Sequence, residues 1–108
     1  MSDEFISVAK LGEIGENGQR VLSIGGRSIL LCRSNGEYFA IDNMCTHEFS
    51  PLQGGMVGEC MIVCPLHGAE FDLRTGDVIS GPTYDPIATY PVRISGDSIE
   101  VGLTPNRS

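Results

Sequence analysis

Two short segments of the chain hold the residue types that bind soft metal ions. One reads CTH at residues 45–47, and the other reads CPLHG at residues 64–68. The spacing is C-x-H, sixteen intervening residues, then C-x-x-H, and these segments contain both histidines of the chain. Thiolates and neutral imidazoles are ligands for zinc and for iron–sulfur clusters. The expected ligands are Cys45, His47, Cys64 and His67.

Each segment supplies one thiolate and one imidazole, and this mixture distinguishes two kinds of metal site. Zinc sites usually group two cysteines in one turn and two histidines in another. A Rieske [2Fe–2S] cluster has one iron bound by two cysteines and one bound by two histidines. Such a cluster needs each loop to give one ligand to each iron. The pattern therefore indicates this cluster, with a colourless structural zinc module as an alternative.

The rest of the sequence consists of short strands separated by turns. Its 14 glycines and 6 prolines in 108 residues indicate many turns, and a hydrophobic content of 41% excludes a disordered chain. No long window has a helical period. The predicted strands are 5–9, 19–24, 27–32, 37–42, 61–63, 70–73, 78–79, 88–94 and 98–101, with turns at 25–26, 35–36 and 96–97. We expect an all-β protein of about nine or ten strands, packed as an antiparallel sandwich or barrel.

The charge of the chain limits its partners. The net charge is −7, which argues against binding to nucleic acid or anionic lipid. No Lys or Arg lies between Ser34 and Leu73, and six acidic residues do: Glu37, Asp42, Glu48, Glu59, Glu70 and Asp72. This acidic stretch is either a docking surface for basic partners or a solvated face.

The cysteine count bears on the compartment. Four cysteines in a chain with no visible secretory signal and no apolar run of membrane-spanning length predict reduced thiols or metal ligands in a cytoplasmic, non-membrane protein. Cys32 and Cys60 lie outside the metal pattern, and we interpret both as packed thiols.

The loops resemble a known family. The segments CTHEFSPLQGG (45–55) and CPLHGAEFDLRTG (64–76) are similar to the two cluster loops of Rieske proteins, and Gly81-Pro82 with Tyr90-Pro91-Val92 resembles the third loop and closing strands. The likeness covers roughly residues 5–103 and most resembles the small Rieske ferredoxins of bacterial ring-hydroxylating dioxygenases. It implies a Rieske fold over residues 1–108, with a small cluster-binding part at about 43–83.

The resemblance also implies roles for individual residues. Cys45 and Cys64 would hold the inner iron, and His47 and His67 the outer iron, nearer solvent. Glycines 54, 55 and 68 would permit tight loops, and Pro82 would cover the cluster from the side.

Four positions depart from the respiratory-chain members of the family. Those proteins carry a disulfide between the loops, where this chain has Ser50 and Leu66. They also place a serine and a tyrosine after the second loop, which donate hydrogen bonds to cluster sulfur, where this chain has Ala69 and Phe71. All four differences favour the low-potential ferredoxin branch.

The function implied by this resemblance is one-electron transfer by a monomer. Electrons would come from an NADH-dependent flavin reductase and pass to the terminal oxygenase of an aromatic-ring-hydroxylating dioxygenase. With both histidines used as ligands, no spare base remains, so we expect no catalytic residues and no enzymatic activity of the chain alone. The alternatives are a Rieske-type small subunit of a nitrite-reductase-like enzyme and a redox-sensing regulator.

Overall fold

A computed structural model describes residues 4–46, 50–66, 68–81 and 85–106, and these residues form eleven β-strands. The strands are β1 (Phe5–Lys10), β2 (Gln19–Ile24), β3 (Arg27–Ser34), β4 (Glu37–Asp42), β5 (Met56–Gly58), β6 (Met61–Val63), β7 (Glu70–Asp72), β8 (Val78–Ser80), β9 (Thr89–Tyr90), β10 (Val92–Ser95) and β11 (Ser98–Gly102). The described strand pairs are antiparallel, which confirms the predicted all-β class. No helix in these ranges is long and apolar enough to cross a membrane.

The strands form three sheets. Their orders are β1-β11-β10, β2-β3-β4-β9 and β5-β6-β7-β8. The protein has two hydrophobic cores, and strand β3 of the second sheet contributes side chains to both. Its Ile29 and Leu31 side chains join one hydrophobic core, and its Leu30 and Cys32 side chains join the other. Because successive side chains point to opposite faces of a strand, burial on both faces produces the continuous apolar run in β3.

The two cores have different neighbours. One core joins β3 to side chains of β1, β2 and β11, among them Ala9, Leu22, Ile99 and Val101. The other joins β3 and β4 to the short sheet β5–β8 and contains both candidate cysteine ligands. The second core therefore connects the candidate metal site to the larger β-framework.

The predicted two-residue turns are confirmed. Gly25 and Gly26 have φ values of 57° and 80°, and Asn35 and Gly36 have values of 55° and 77°. Both central residues of each turn thus lie in the left-handed region, as a type I′ hairpin turn requires. Gly96, at the β10–β11 turn, has φ 62°.

Two strand predictions were wrong in detail. The sequence predicted no strand at Met56–Gly58, yet these residues form β5 and pair with β6. The predicted single strand 88–94 is divided at Pro91: β9 pairs with β4, whereas β10 pairs with β11 in another sheet. These differences raise the count from the expected nine or ten to eleven strands in the described ranges.

Candidate metal centre

The two candidate cysteine ligands come from separate loops and reach the same core. Cys45 follows β4 and is 0% exposed, and Cys64 follows β6 and is 1% exposed. Both belong to the hydrophobic cluster that also contains Leu52, Ile62 and Phe71. The fold therefore places two thiols from distant parts of the chain in one apolar environment.

The two loops are closed by the same kind of hydrogen bond. The Cys45 N–H donates to the carbonyl oxygen of Ser50 at 2.7 Å, and the Cys64 N–H donates to that of Ala69, also at 2.7 Å. In each case a cysteine bonds to the residue five positions later. The predicted ligands His47 and His67 lie outside the described residues, but each falls in sequence between the two ends of such a closure.

A third loop contacts both of these loops. The Thr46 hydroxyl donates to the Asp85 carbonyl oxygen at 2.7 Å, which ties the first loop to the third. Gly81, with φ +127°, lies so close to Ala69 that an added Cβ would stand 2.5 Å from its Cα. Only glycine fits here, because a side chain would collide with backbone. Pro82, predicted to cover the cluster, lies outside the described residues.

Asn43 fixes the course of the first loop. Its buried side-chain oxygen accepts hydrogen bonds from the N–H groups of Leu52 at 3.0 Å and Gln53 at 2.9 Å. Its amide nitrogen donates to the Ser28 hydroxyl at 3.1 Å. Asn43 thus joins the two ends of the segment that carries Cys45 to strand β3.

Gln19 holds the double glycine at the end of this loop. Its amide nitrogen donates to the Gly55 carbonyl oxygen at 3.0 Å, and its oxygen accepts from the Gly54 N–H at 2.7 Å. Gly54 has φ +90°, and a Cβ on Gly55 would lie 2.1 Å from the Val63 carbonyl oxygen. These values explain why both positions are glycine. Gly68, in the second loop, also has a positive φ of +77°.

Sequence reasoning missed the roles of Asn43 and Gln19. Asn43 has one local signal, since it stands two residues before a candidate ligand at the start of an irregular segment. Gln19 has none, because its partners are 35 and 36 residues away.

The other two cysteines are buried, in agreement with their interpretation as packed thiols. Cys32 is 0% exposed and Cys60 is 3% exposed. Burial raises the pKa of the Cys32 thiol to about 12. At neutral pH Cys32 is therefore a neutral thiol.

Part of the acidic stretch is already paired within the protein. Asp42 accepts a hydrogen bond from the Tyr90 hydroxyl at 2.7 Å, and the same hydroxyl accepts one from Arg27 at 3.1 Å. The pKa of Tyr90 is raised mainly by desolvation and, to a smaller extent, by the hydrogen bond to Asp42. Asp72 lies 3.8 Å from Arg74. Glu37 and Glu59 are exposed, and Glu48 lies outside the described residues.

Apolar side chains are exposed in and next to the ligand loops. Met44 is 48% exposed, Leu66 is 57% exposed and Met56 is 78% exposed. A cavity of about 490 Å³ lies beside the second loop and is lined by Met56, Cys64, Pro65 and Gly68, among others. The surface at the candidate site is thus partly apolar.

These residues fit a [2Fe–2S] cluster. One iron of a Rieske centre needs two thiolates, and the fold brings two buried cysteines from two loops into one core. The other iron needs two imidazoles, and the two histidines of the chain fall within the closed segments of those loops. The apolar core around the cysteines limits access of water.

Comparison with known proteins agrees with the fold and with this ligand chemistry. Residues 4–91 match the family model described as the Rieske [2Fe–2S] domain. The chain belongs to the Rieske [2Fe–2S] domain family, and its cofactor is a Rieske-type [2Fe–2S] cluster.

Several relatives are ferredoxin components of dioxygenase systems. The chain is 34% identical to the ferredoxin component of the naphthalene 1,2-dioxygenase system of Pseudomonas aeruginosa, over 96% of this chain and 100% of that protein. It is 29% identical to the ferredoxin of carbazole 1,9a-dioxygenase from Nocardioides aromaticivorans IC177, with a TM-score of 0.85 over 90% and 95% of the two chains. A chain in a complex of reduced oxygenase and oxidised ferredoxin of carbazole 1,9a-dioxygenase has a TM-score of 0.90 at 22% identity, covering 96% and 97%, and supports the fold alone.

Proposed function

We propose that this protein is the ferredoxin component of an aromatic-ring-hydroxylating dioxygenase system. It would accept single electrons from an NADH-dependent flavin reductase and donate them to a terminal oxygenase, as a cytoplasmic monomer. The observation that carries the proposal is the near full-length likeness to a dioxygenase ferredoxin, together with two buried cysteines in matching closed loops.

The proposed ligands are Cys45 and Cys64 for one iron and His47 and His67 for the other. The cluster supplies a one-electron couple when bound. The chain supplies the remaining requirements: Asn43 and Gln19 fix the first loop, and Thr46 ties it to the third. The two electrons of one NADH would leave the reductase in two single-electron transfers, each to one oxidised ferredoxin.

The surface next to the loops supports transfer between proteins. Electron transfer requires close approach of the two redox centres, and exposed Met44, Met56 and Leu66 offer apolar contact area there. Glu37 and Glu59 are exposed at or next to turns away from the ligand loops, so they would add to the long-range attraction of a basic partner and not to the contact itself. The substrate is chosen by the oxygenase, and the two named relatives serve systems with different substrates.

Reconstitution tests this function. The purified protein is mixed with NADH, the flavin reductase and the terminal oxygenase of a naphthalene dioxygenase system from which its own ferredoxin is omitted. We expect uptake of one electron per chain and restored product formation. His47→Ala and His67→Ala should restore neither. A wild-type protein that dithionite reduces, but that exchanges electrons with neither partner, would contradict the proposal and favour the redox-sensing regulator.

A further inference from the structure

The hydroxyl of Ser50 lacks a hydrogen-bond partner although it is buried. In the described part of the chain, only two buried side-chain polar atoms lack a partner: Ser50 Oγ and Arg33 Nε. Burying a hydroxyl without a hydrogen bond is unfavourable, and most buried polar groups in native proteins are paired. A buried, unpaired hydroxyl at this position therefore indicates that a hydrogen-bond acceptor occupies the adjacent space in the functional protein.

Ser50 is joined to a candidate ligand by a backbone hydrogen bond. Its carbonyl oxygen accepts the Cys45 N–H at 2.7 Å, which closes the first ligand loop. The next residues run into the core, since Leu52 is fully buried in the cluster that contains Cys45 and Cys64. The unpaired hydroxyl thus belongs to the residue that closes the first ligand loop, two positions before a side chain packed in the core of the candidate cysteine ligands.

The side chains of Asn43, Thr46 and Gln19, which hold this loop, are hydrogen-bonded, so general loose packing does not explain the unpaired hydroxyl. The Asn43 amide uses both its oxygen and its nitrogen. The Thr46 hydroxyl is bonded to Asp85, and the Gln19 amide to the double glycine. Among these four side chains, only that of Ser50 makes no hydrogen bond.

We propose that the Ser50 hydroxyl donates a hydrogen bond to a sulfur of the cluster and thereby raises its reduction potential. The inference rests on the proposed ligand set. Sulfides and thiolates of the cluster carry negative charge, which makes them acceptors for an O–H donor. Reduction adds one further negative charge, so the hydrogen bond strengthens in the reduced state and favours it.

Two positions that follow the second ligand loop in sequence, Ala69 and Phe71, offer no hydroxyl donor. Ala69 and Phe71 are both 0% exposed, and neither side chain has a hydroxyl. In this chain the hydroxyl donor to cluster sulfur would therefore come from the first loop.

Two pairs of variants test this role. Ser50→Ala removes the hydroxyl, and Ser80→Ala makes the same change at an exposed position of β8 in the short sheet. Ser50→Thr and Ser50→Val form a second pair of similar size that differs in the hydroxyl. The readouts are the midpoint potential by redox titration and the exchangeable-proton couplings of the reduced protein by electron–nuclear double resonance in H₂O and D₂O. Iron content confirms that each variant holds its cluster.

We expect Ser50→Ala and Ser50→Val to shift the midpoint potential in the negative direction and to lose one exchangeable-proton coupling. Ser50→Thr and Ser80→Ala should keep the coupling and stay near the wild-type potential. If Ser50→Ala fails to hold the cluster, the Thr and Val pair gives the same comparison. An unchanged potential with unchanged couplings in the hydroxyl-free variants would overturn the proposal. A wild-type protein without histidine-ligated iron would instead refute the ligand set.

Discussion

Cys32 and Cys60 share the residue type of the proposed ligands but not their position. Both are buried side chains outside the two closed loops, and the pKa of Cys32 is raised to about 12 by burial. Cys60 also occupies a turn, and its sulfur lies 3.5 Å from the Asn35 amide nitrogen. Packing thus accounts for these two thiols, and the ligand set draws on the other two.

Thiol alkylation checks this division. In the native protein we expect Cys32 to react negligibly with iodoacetamide at pH 8, because it is inaccessible and its pKa of about 12 leaves almost no thiolate. The unfolded control should react readily and faster as pH rises toward the ordinary thiol pKa of about 8.5. Mass spectrometry locates the labels. Rapid native labelling of Cys32 would contradict the packed-thiol interpretation.

The same pKa shift predicts how stability depends on pH. The folded-state pKa of Cys32 is raised, so the unfolded chain loses this proton first as pH increases. The stabilisation is complete below the unfolded-state pKa and decreases from about pH 9 towards pH 12. Denaturant unfolding of wild type and Cys32→Ala at pH 8 and pH 10 should show a smaller loss of stability in the variant. Equal losses would contradict the shift.

Ala69 and Phe71 bear on the midpoint potential of the cluster. Because both lack a hydroxyl, we expect a midpoint potential in the lower part of the Rieske range, which spans roughly −150 to +300 mV. Ala69→Ser and Phe71→Tyr should each shift it in the positive direction if the new hydroxyl reaches sulfur. The space at residue 69 is small, since Gly81 lies against it. Redox titration decides, and a wild-type midpoint above about +100 mV would contradict the low-potential assignment.

At the scale of elements, the first loop depends on one side chain that joins its ends. Asn43→Ala removes the acceptor of two backbone N–H groups and leaves the buried Leu52 donor unpaired, which costs about 1–3 kcal/mol. We expect lower unfolding free energy and faster loss of iron to a chelator. Asn43→Asp keeps the acceptor and should be milder.

Ser28→Ala is the matched control for this loop. It removes only the partner of the Asn43 amide nitrogen and leaves the bonds to Leu52 and Gln53 in place. Iron release is followed by the visible spectrum. If Asn43→Ala loses iron no faster than Ser28→Ala, the asparagine does not hold the loop.

The sequence predicts elements best where turn chemistry is local. Gly25-Gly26 and Asn35-Gly36 mark hairpins because their residue types tolerate positive φ. The β5–β6 turn has the same conformation, with φ values of 51° at Glu59 and 60° at Cys60, but its residue types do not signal it. Strand β5 therefore escapes prediction, since it has three residues and a largely exposed Met56.

The candidate ligands can be predicted from the sequence, whereas the residues that position them cannot. Cysteine and histidine are rare in this chain, so their spacing stands out: there are 4 cysteines and 2 histidines among 108 residues. Asn43 and Gln19 are ordinary polar residues, and their roles depend on contacts with backbone that the fold brings near. Such contacts follow from tertiary structure and leave no pattern in the sequence.

At the scale of the whole molecule, charge should steer docking. Reversing Glu70, a half-buried residue of β7 within the acidic stretch, should slow reduction by the reductase roughly 2- to 10-fold at low salt. The effect should shrink as ionic strength rises, because salt screens exposed charges. Asp97→Lys makes the same charge change at an exposed turn of another sheet and serves as the control. If the stopped-flow rates change neither with Glu70→Lys nor with salt, the acidic stretch serves solvation alone.

In the proposed ligand set, one iron of the cluster is bound by His47 and His67. The chain has two histidines and four cysteines, so the competing arrangement is a cluster held by all four cysteines. Electron–nuclear double resonance of the dithionite-reduced protein, grown with ¹⁵N-histidine, separates the two. Histidine ligation predicts two strongly coupled ¹⁵N nuclei, with one lost in each of His47→Ala and His67→Ala wherever iron is retained. A reduced [2Fe–2S] signal without ¹⁵N coupling in the wild type would contradict it.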